Sequence, residues 1–313
     1  MSEKTGGKNF GFSGHKKWVM FPGRWQPLHK GHLAIMQPYL DKGQNLWIGI
    51  RDTPVSQSDP YTIEQRMEMI RRAFGPLYGD RVIATPIPDI AGIAYGRGVG
   101  YFVEEATVSP EIAEISATGV RAGRDKRVNE DVKSYVGLLE STLWFTGLPC
   151  SGKTTIADRL QLELDNLPGY KTYKLDGDVV RGPGSLNENL GFSDEDRFEN
   201  LRRIAHVAKM FNDSKTTVLA SFVSPSENQR EMIENIVGPE KFKLIYVDCP
   251  LQVCEARDVK GMYAKARAGQ IPGFTGVSAP FDVPKNPAVV VKTNERTLEE
   301  CVEQIISELG IRG

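Results

Sequence analysis

Ser141-Thr-Leu-Trp-Phe-Thr-Gly147-Leu-Pro-Cys-Ser-Gly152-Lys-Thr-Thr-Ile-Ala-Asp-Arg-Leu160 is the stretch around which the chain is organised. A run of β-formers from Thr142 to Thr146 enters the spacing G-x-x-x-x-G-K-[ST], and an amphipathic helix pattern follows. Strand, loop and helix in that order are what a phosphate-gripping loop requires. Gly147 and Gly152 let the backbone turn its N–H groups toward phosphate oxygens, and the helix behind them offers its positive end. The spacing sends Lys153 to the β- and γ-phosphates of ATP and the Thr154 hydroxyl to Mg²⁺. Ser151 and Thr155 complete the expected ATP-binding set of Gly147, Ser151, Gly152, Lys153, Thr154 and Thr155.

Downstream, Lys171 to Leu175 reads as a strand ending in Asp176-Gly177-Asp178-Val-Val-Arg181. Two carboxylates flanking a glycine at a strand's carboxyl end face the metal and the acceptor hydroxyl, and either suits a base or a metal-shell ligand. Thr154 would share the metal with one of these carboxylates, and the family resemblance below makes it Asp176. Next, Ser193 caps a helix on which Arg197, Asn200 and Arg203, three apart, share a side and, with Arg181, present guanidinium forks to a doubly anionic acceptor. Leu201, Ile204, Val207 and Ala208 form its core-facing stripe. Strands over Thr216 to Val223 and Phe242 to Asp248 end at Ser224-Pro225 and Cys249-Pro250. A basic helix from Arg257 to Gly269 then leads to Gly273-Phe274-Thr275-Gly276, a glycine-hinged aromatic loop suited to closing over a nucleotide.

Upstream, a second strand-to-helix passage carries chemistry. Lys17 to Phe21 has a buried-strand pattern and runs into Gly23-Arg24-Trp25-Gln26-Pro27-Leu28-His29-Lys30-Gly31-His32, followed by an apolar helix pattern with Leu33, Ile35, Met36, Tyr39 and Leu40. Two histidines three apart at a helix start lie on one face and can donate to the same anion, and Gly31 leaves room for a nucleotide near the backbone. A strand at Leu46 to Ile50, a helix capped by Thr62 with Ile63, Met67 and Ile70 inward, and a strand at Arg81 to Pro88 continue the alternation of a doubly wound sheet. The segment Ile115-Ser116-Ala117-Thr118-Gly119-Val120-Arg121 falls at the same ligand-binding edge.

Length and composition bound these readings. The 313 residues suit about two domains. Charge shifts from Ala122 to Glu140 place their boundary near 137, giving domains 1–137 and 138–313. Gly96 to Gly100 reads as a turn-rich substrate segment and residues 1–15 as a loose tail. Formal charge of −1, from 39 Lys and Arg against 40 Asp and Glu, leaves no basic footprint for nucleic acid. Without a long apolar run or a signal-like start, a soluble cytoplasmic protein with no membrane partner is expected. Four scattered cysteines, Cys150, Cys249, Cys254 and Cys301, suit reduced thiols rather than a disulfide framework or zinc site.

Two family resemblances cover most of the chain. GRWQPLHKGH and ISATGVR resemble the HxGH and ISxTxxR motifs of HxGH-type nucleotidyltransferases, the nicotinamide-mononucleotide adenylyltransferase branch especially, over residues of about 17 to 125. That resemblance implies that His29 and His32 neutralise the α- and β-phosphates as pyrophosphate leaves, and that Gly23, Arg24, Ser116, Thr118 and Arg121 hold phosphates. Ala117 departs from a common glycine.

FTGLPCSGKTT, LDGDVVR, GFSDEDRFENLRR, SFVSP, VDCPLQVCEARDVKGMYAKARAGQIPGFTG and APFDVPKNP resemble adenylylsulfate (APS) kinase from residue 141 onward. The resemblance implies ATP-dependent phosphorylation of the 3′-hydroxyl of adenosine 5′-phosphosulfate (APS), Mg²⁺ dependence and a homodimer. It makes Asp176 and Asp178 metal ligand and base. It assigns the phosphosulfate to Arg181, Arg197 and Asn200, the adenine to Phe192 and Phe274, further acceptor contact to Val223 and the lid to Lys265. Ser224 falls where some relatives carry phosphoserine. Glu227, Glu234 and Ser278 depart from the family pattern, and two acidic replacements beside the acceptor strand would weaken attraction for a dianion.

The expected architecture is therefore α/β, two doubly wound parallel-sheet domains, a Rossmann-like HxGH nucleotidyltransferase and then a P-loop kinase. The pairing suggests consecutive steps, yet the front domain is much smaller than an ATP sulfurylase. Two other readings stand beside the leading one: a kinase for a different nucleotide-diphosphate-like acceptor, and a front domain that binds nucleotide without catalysis.

Overall fold

A computed structural model describes residues 16–93, 105–106, 108–117, 120, 132, 137–167 and 170–311. The tail, Gly96 to Gly100, Thr118, Arg121 and most of 121–136 lie outside the described residues. Two compact units divide at Val132 and Lys133, against the boundary near 137 that composition marks.

In the first unit β1 (Trp18–Gly23), α1 (Lys30–Asp41), β2 (Asn45–Arg51), α2 (Ile63–Phe74) and β3 (Val82–Ile87) follow in order. The strands form a parallel sheet, β1-β2-β3, in which Phe21 pairs with Ile48 and Ile48 with Ala84. Thr62 caps α2 by accepting from the Gln65 amide, and Gln65 returns the bond to the Thr62 amide. Its buried stripe is Met69, Ile70 and Phe74, whereas Ile63 and Met67 are half-buried. The expected inward set was centred one helix step away. The reason is Arg66: this fully buried side chain donates to the carbonyls of Arg24, Arg51 and Thr62, so the inward face carries a guanidinium as well as apolar groups. A four-residue helix, α3 (Pro110–Ala113), precedes Ile115.

The second unit contains β4 (Thr142–Thr146), α4 (Lys153–Asp165), β5 (Thr172–Asp176), α5 (Gly177–Val180), α6 (Asp194–Asp213), β6 (Thr217–Ser221), α7 (Glu227–Val237), β7 (Phe242–Asp248), α8 (Leu251–Arg257), α9 (Met262–Arg267), β8 (Val289–Lys292) and α10 (Leu298–Glu308). All five strands run parallel in the order β5-β6-β4-β7-β8. Parallel sheets bury both faces, and the alternation along β4 shows how. Leu143 and Phe145 join α4 and α10 in one core layer with Ile156, Leu160, Ile245, Val247 and Ile305. Trp144 joins α6 and α7 in the other, with Leu201, Ile204, Val218 and Ile233. No described helix is long and apolar enough to cross a membrane.

The stretch expected as a single basic helix, Arg257 to Gly269, holds only the last residue of α8, a four-residue link and α9. Gly261 adopts φ +64° in that link, and the Asp258 carboxylate accepts from the Ala264 amide, which starts α9 afresh.

Candidate active site

The loop at the carboxyl end of β4 is built by its glycines. Gly147 has φ +151°, and a Cβ there would stand 2.5 Å from the Val247 carbonyl oxygen, so only glycine fits against β7. Lys153, in the first turn of α4, is buried and donates from Nζ to the carbonyls of Gly147 at 3.0 Å and Leu148 at 2.7 Å. Burial pushes its ammonium down to about 8, with Cys254, Cys150, Asp176 and Asp178 opposing. The Ser151 hydroxyl is buried without a hydrogen-bond partner, a donor that a phosphate oxygen would satisfy. Thr155 is exposed on the same turn.

Across from the loop, the turn after β5 divides its two carboxylates. Asp176 is buried; its Oδ2 accepts from Thr154 Oγ1 at 2.8 Å and its Oδ1 from the Asp178 amide at 3.0 Å, capping α5. Asp178 faces outward and forms an ion pair with Lys260. The hydroxyl and carboxylate of Thr154 and Asp176 suit Mg²⁺, which takes one or two protein oxygens and fills the rest of its octahedron with water and substrate phosphate. Among the described residues no cluster of three acidic, histidine or cysteine side chains forms an all-protein cage.

The side expected to take the acceptor carries arginines. The Arg181 guanidinium lies 4.9 Å over the Phe192 ring and donates to the Gly191 carbonyl. Burial, then repulsion from Arg197, lowers its affinity for a proton, so the two cations form an electropositive patch that an anion would relieve. Arg197 bridges two loops, donating to Phe192 O and to Gly273 O, each at 2.9 Å. Phe192 is 73% exposed, whereas Phe274 is buried edge-on to Tyr263 with centroids 5.0 Å apart. Lys265 is exposed on α9, and Val223 accepts from Thr146 Oγ1 through its carbonyl.

Two of the expected site residues, Asn200 and Ser224, are buried. Asn200, three residues from Arg197 and Arg203, is buried, and its Oδ1 accepts from Asn187 Nδ2 at 2.8 Å, while Arg203 donates to Asn189 at 3.0 Å and pairs with Glu199. Ser224 is buried as well. At 2% exposure and φ +36°, its hydroxyl donates to Thr146 Oγ1 and accepts from Trp144 Nε1, so the residue locks the loop after β6 to the phosphate-loop strand.

In the first unit, the loop after β1 brings His29 and His32 together at the start of α1. Their rings stack 3.6 Å apart, and His32 Nδ1 accepts from the His29 amide, which leaves Nε2 to carry the proton. Burial first, then His29, drives the His32 pKa down to about 3. His32 is thus a neutral donor near pH 7, not the phosphate-neutralising cation expected, because a stacked buried pair disfavours charge. The space beside Gly31 is also taken: a Cβ would stand 3.1 Å from the His29 ring and 3.4 Å from the Ile112 carbonyl, so the glycine admits the histidine and α3 rather than a nucleotide. Trp25 stands edge-on to His32 at 4.8 Å, and a Cβ on Gly23 would meet its ring at 2.6 Å. Arg24 pairs with Asp59 at 3.3 Å, and Ser116 is exposed. Thr118 and Arg121 fall outside the described residues.

Comparison with known proteins matches two separate stretches of the chain. Residues 139–292 match the family model for adenylylsulphate kinase, and residues 20–121 match the cytidylyltransferase-like model. An adenylyl-sulfate kinase of Clostridium kluyveri is 47% identical over 192 residues, covering 61% of this chain and 93% of its own length. The chain belongs to the adenylyl-sulfate kinase family. Another family member, from Bacteroides thetaiotaomicron, is 49% identical over 177 residues, 56% of this chain and 87% of its own. The structure of the Mycobacterium tuberculosis APS kinase in complex with AMPPNP and APS is 41% identical, covers 54% of this chain and 97% of its own, and superposes with a TM-score of 0.51.

Four residues around the kinase-family site escape the motif reading. Tyr263 donates to Pro149 O at 3.0 Å, Thr293 Oγ1 to Ser151 O at 2.8 Å, and Arg257 to Thr293 O at 2.7 Å, so the phosphate loop is braced from α8, α9 and β8; Lys260 is the fourth. Arg257, Lys260 and Tyr263 sit in a quoted motif, but that stretch reads as one basic helix; Thr293 has no sequence signal. Two of the family departures are accommodated locally. Glu227 pairs with buried Arg230, which also donates to Ser224 O, so its charge is spent inside the fold; Ser278 Oγ accepts from the Phe274 amide at 2.9 Å, holding the aromatic loop.

Proposed function

We propose that the second unit transfers the γ-phosphoryl group of ATP to the 3′-hydroxyl of APS, giving 3′-phosphoadenosine 5′-phosphosulfate. The observation that carries this reading is the 2.8 Å bond from Thr154 Oγ1 to Asp176 Oδ2, which sets a two-carboxylate turn against the phosphate loop. Lys153 would bind the β- and γ-phosphates and Ser151 and the loop amides their oxygens. Thr154 and Asp176 would hold Mg²⁺, which when bound neutralises charge on the phosphates. Asp178 would accept the acceptor's proton. Arg181 and Arg197 would pair with the phosphosulfate, and Phe192 offers an exposed ring to the adenine. In this reading the kinase works as a cytoplasmic homodimer, as the family resemblance implies. Its test is ADP formation by the full chain with ATP and Mg²⁺: the reading expects strict dependence on APS and is overturned if none forms.

Lys153 supplies a second, independent check. Its depressed pKa leaves the free site about half-protonated at pH 8, and a bound triphosphate restores the full charge. Calorimetry at pH 8 to 9 in buffers of different ionisation enthalpy should therefore show proton uptake on ATP binding, fading below pH 7; an uptake that does not vary with pH contradicts the assignment.

For the first unit we propose transfer of a nucleotidyl group from a nucleoside triphosphate to a small anionic acceptor with release of pyrophosphate. The support is the paired histidines at the start of α1 beside the α3 segment, together with the cytidylyltransferase-like match. His32 would donate from neutral Nε2 to charge developing on the leaving phosphates. Pyrophosphate release is expected to fall about 100-fold in His32→Ala and, in the intact chain, to show no ionisation of His32 between pH 5.5 and 8. Release unchanged by the substitution would remove the histidine from catalysis.

A further inference from the structure

Asn187 lies outside every set of residues to which the motifs assign chemistry, yet its side chain is wedged between Asn200 and Arg203. The loop that bears it joins Arg181 to Phe192, and its backbone is tied down in both directions. The Asn187 amide donates to Val180 O at 2.9 Å, and the Asn187 carbonyl accepts from the Leu190 amide at 3.1 Å. The side chain is fully buried. Its Nδ2 donates to Asn200 Oδ1 at 2.8 Å, and its Oδ1 accepts from Arg203 Nη1 at 3.4 Å. Arg203 is fixed in turn, with Nε on Glu199 at 2.8 Å and Nη1 on Asn189 at 3.0 Å.

The order of these contacts decides which way each amide faces. Two side-chain amides meeting alone could pair in either sense, because each has a donating and an accepting end. Arg203 removes the choice. A guanidinium only donates, so the atom that Asn187 turns to it is the oxygen, and the NH2 group of Asn187 is left for Asn200. Asn200 answers with its own oxygen and keeps both N–H bonds of its amide to offer elsewhere. Among the described residues, the bond to Asn187 is the only side-chain hydrogen bond that Asn200 makes. Asn200 stands one turn along α6 from Arg197, which is expected to pair with the acceptor's anion. An amide turned the other way would bring a carbonyl oxygen, with its partial negative charge, to the same place.

We propose that Asn187 is a positioning residue of the acceptor pocket: it holds the Asn200 amide with its N–H groups toward the phosphosulfate, so that Arg181, Arg197 and Asn200 present only donors to that group. Glu199, Arg203 and Asn187 then form a relay whose last member sets the polarity of the pocket wall. An inverted amide would repel an anion that the two arginines attract. This inference rests on the kinase reading above.

The test is steady-state kinetics of the full chain with ATP, Mg²⁺ and APS, arranged as a double-variant cycle. Asn187→Asp keeps the shape and removes the N–H, so the Asn200 amide has to turn its NH2 group to the new carboxylate and its oxygen outward. KM for APS is expected to rise about 30-fold, with KM for ATP within about two-fold and kcat within about three-fold. In the Asn200→Ala background there is no amide to invert, and adding Asn187→Asp should change KM for APS less than about three-fold. Plain repulsion by the new carboxylate, or a loosened loop, would persist in that background, and an equal rise there overturns the positioning role. A wild-type KM for APS in Asn187→Asp overturns it too, as does a wild-type KM for APS in Asn200→Ala. If melting curves show that the new carboxylate prevents folding, Asn187→Ala carries the same cycle. It releases the amide without inverting it, and a rise of about five-fold that vanishes beside Asn200→Ala is expected; no rise, or the same rise in both backgrounds, rejects the role. A wild-type chain that forms no APS-dependent ADP overturns the kinase reading instead, so the two failures are distinguishable.

Discussion

Lys153→Ala abolishes phosphoryl transfer, with kcat/KM for ATP reduced at least about 1,000-fold, while the protein remains folded. The size follows from position. Lys153 is the cation inside the loop, desolvated and held on the Gly147 and Leu148 carbonyls, so its charge meets the phosphates without the screening that water gives an exposed lysine. The stability side of the prediction has the opposite sign from an ordinary core truncation. Burial holds the folded pKa near 8 against an ordinary 10.5, so between these values the unfolded chain binds the extra proton and stability rises with pH. Below pH 8 the folded state bears the whole cost of the buried ammonium. The alanine variant should therefore melt no lower than wild type at pH 7 and should lose the rise between pH 8 and 10.5. Thermal melts across that range, paired with ADP assays, decide both halves; residual turnover near wild type would remove Lys153 from the site.

Asp178→Asn lowers kcat at least about 100-fold with ATP affinity nearly unchanged. The amide is isosteric and keeps the backbone N–H that bonds Asp176 Oδ1, so the cap of α5 and the position of Asp176 survive. What disappears is the ability to take a proton and the attraction for Lys260. Asp176, buried and bonded to Thr154, is the worse base of the two because both its oxygens already accept hydrogen bonds. If Asp178→Asn turned over APS at the wild-type rate, the two carboxylates would have to exchange roles. Nucleotide affinity measured alongside kcat separates a lost base from a disturbed loop.

Much of this is legible in the sequence where chemistry and local geometry coincide. The glycines of the phosphate loop, the Ser193 and Thr62 caps and the acidic pair around Gly177 are each constrained by neighbours within a few residues, and strand alternation marks the parallel sheets. Burial and pairing across the fold are not local. Ser224 reads only as the residue that ends a strand, yet Trp144 and Thr146 take both its hydrogen bonds from 78 to 80 positions away. Helical spacing puts Asn200 beside Arg197, but Asn187, in a loop with no periodicity, draws it inward. The two histidines advertise charge, while burial, and then His29 beside it, removes it from His32. Arg66 is invisible for the same reason: a cation in an apolar stripe reads as surface until three carbonyls are found around it.

β6 separates the strand that launches the phosphate loop from the strand that ends in Asp176, and Ser221 lies in register between Phe145 and Asp176. Two interstrand steps of about 4.8 Å thus set the gauge of the catalytic gap. Thr154 reaches in from the first turn of α4 and Asp176 from the other bank, so their meeting depends on the strand laid between the two banks. Repacking that middle strand would detune turnover while leaving every reacting side chain in place.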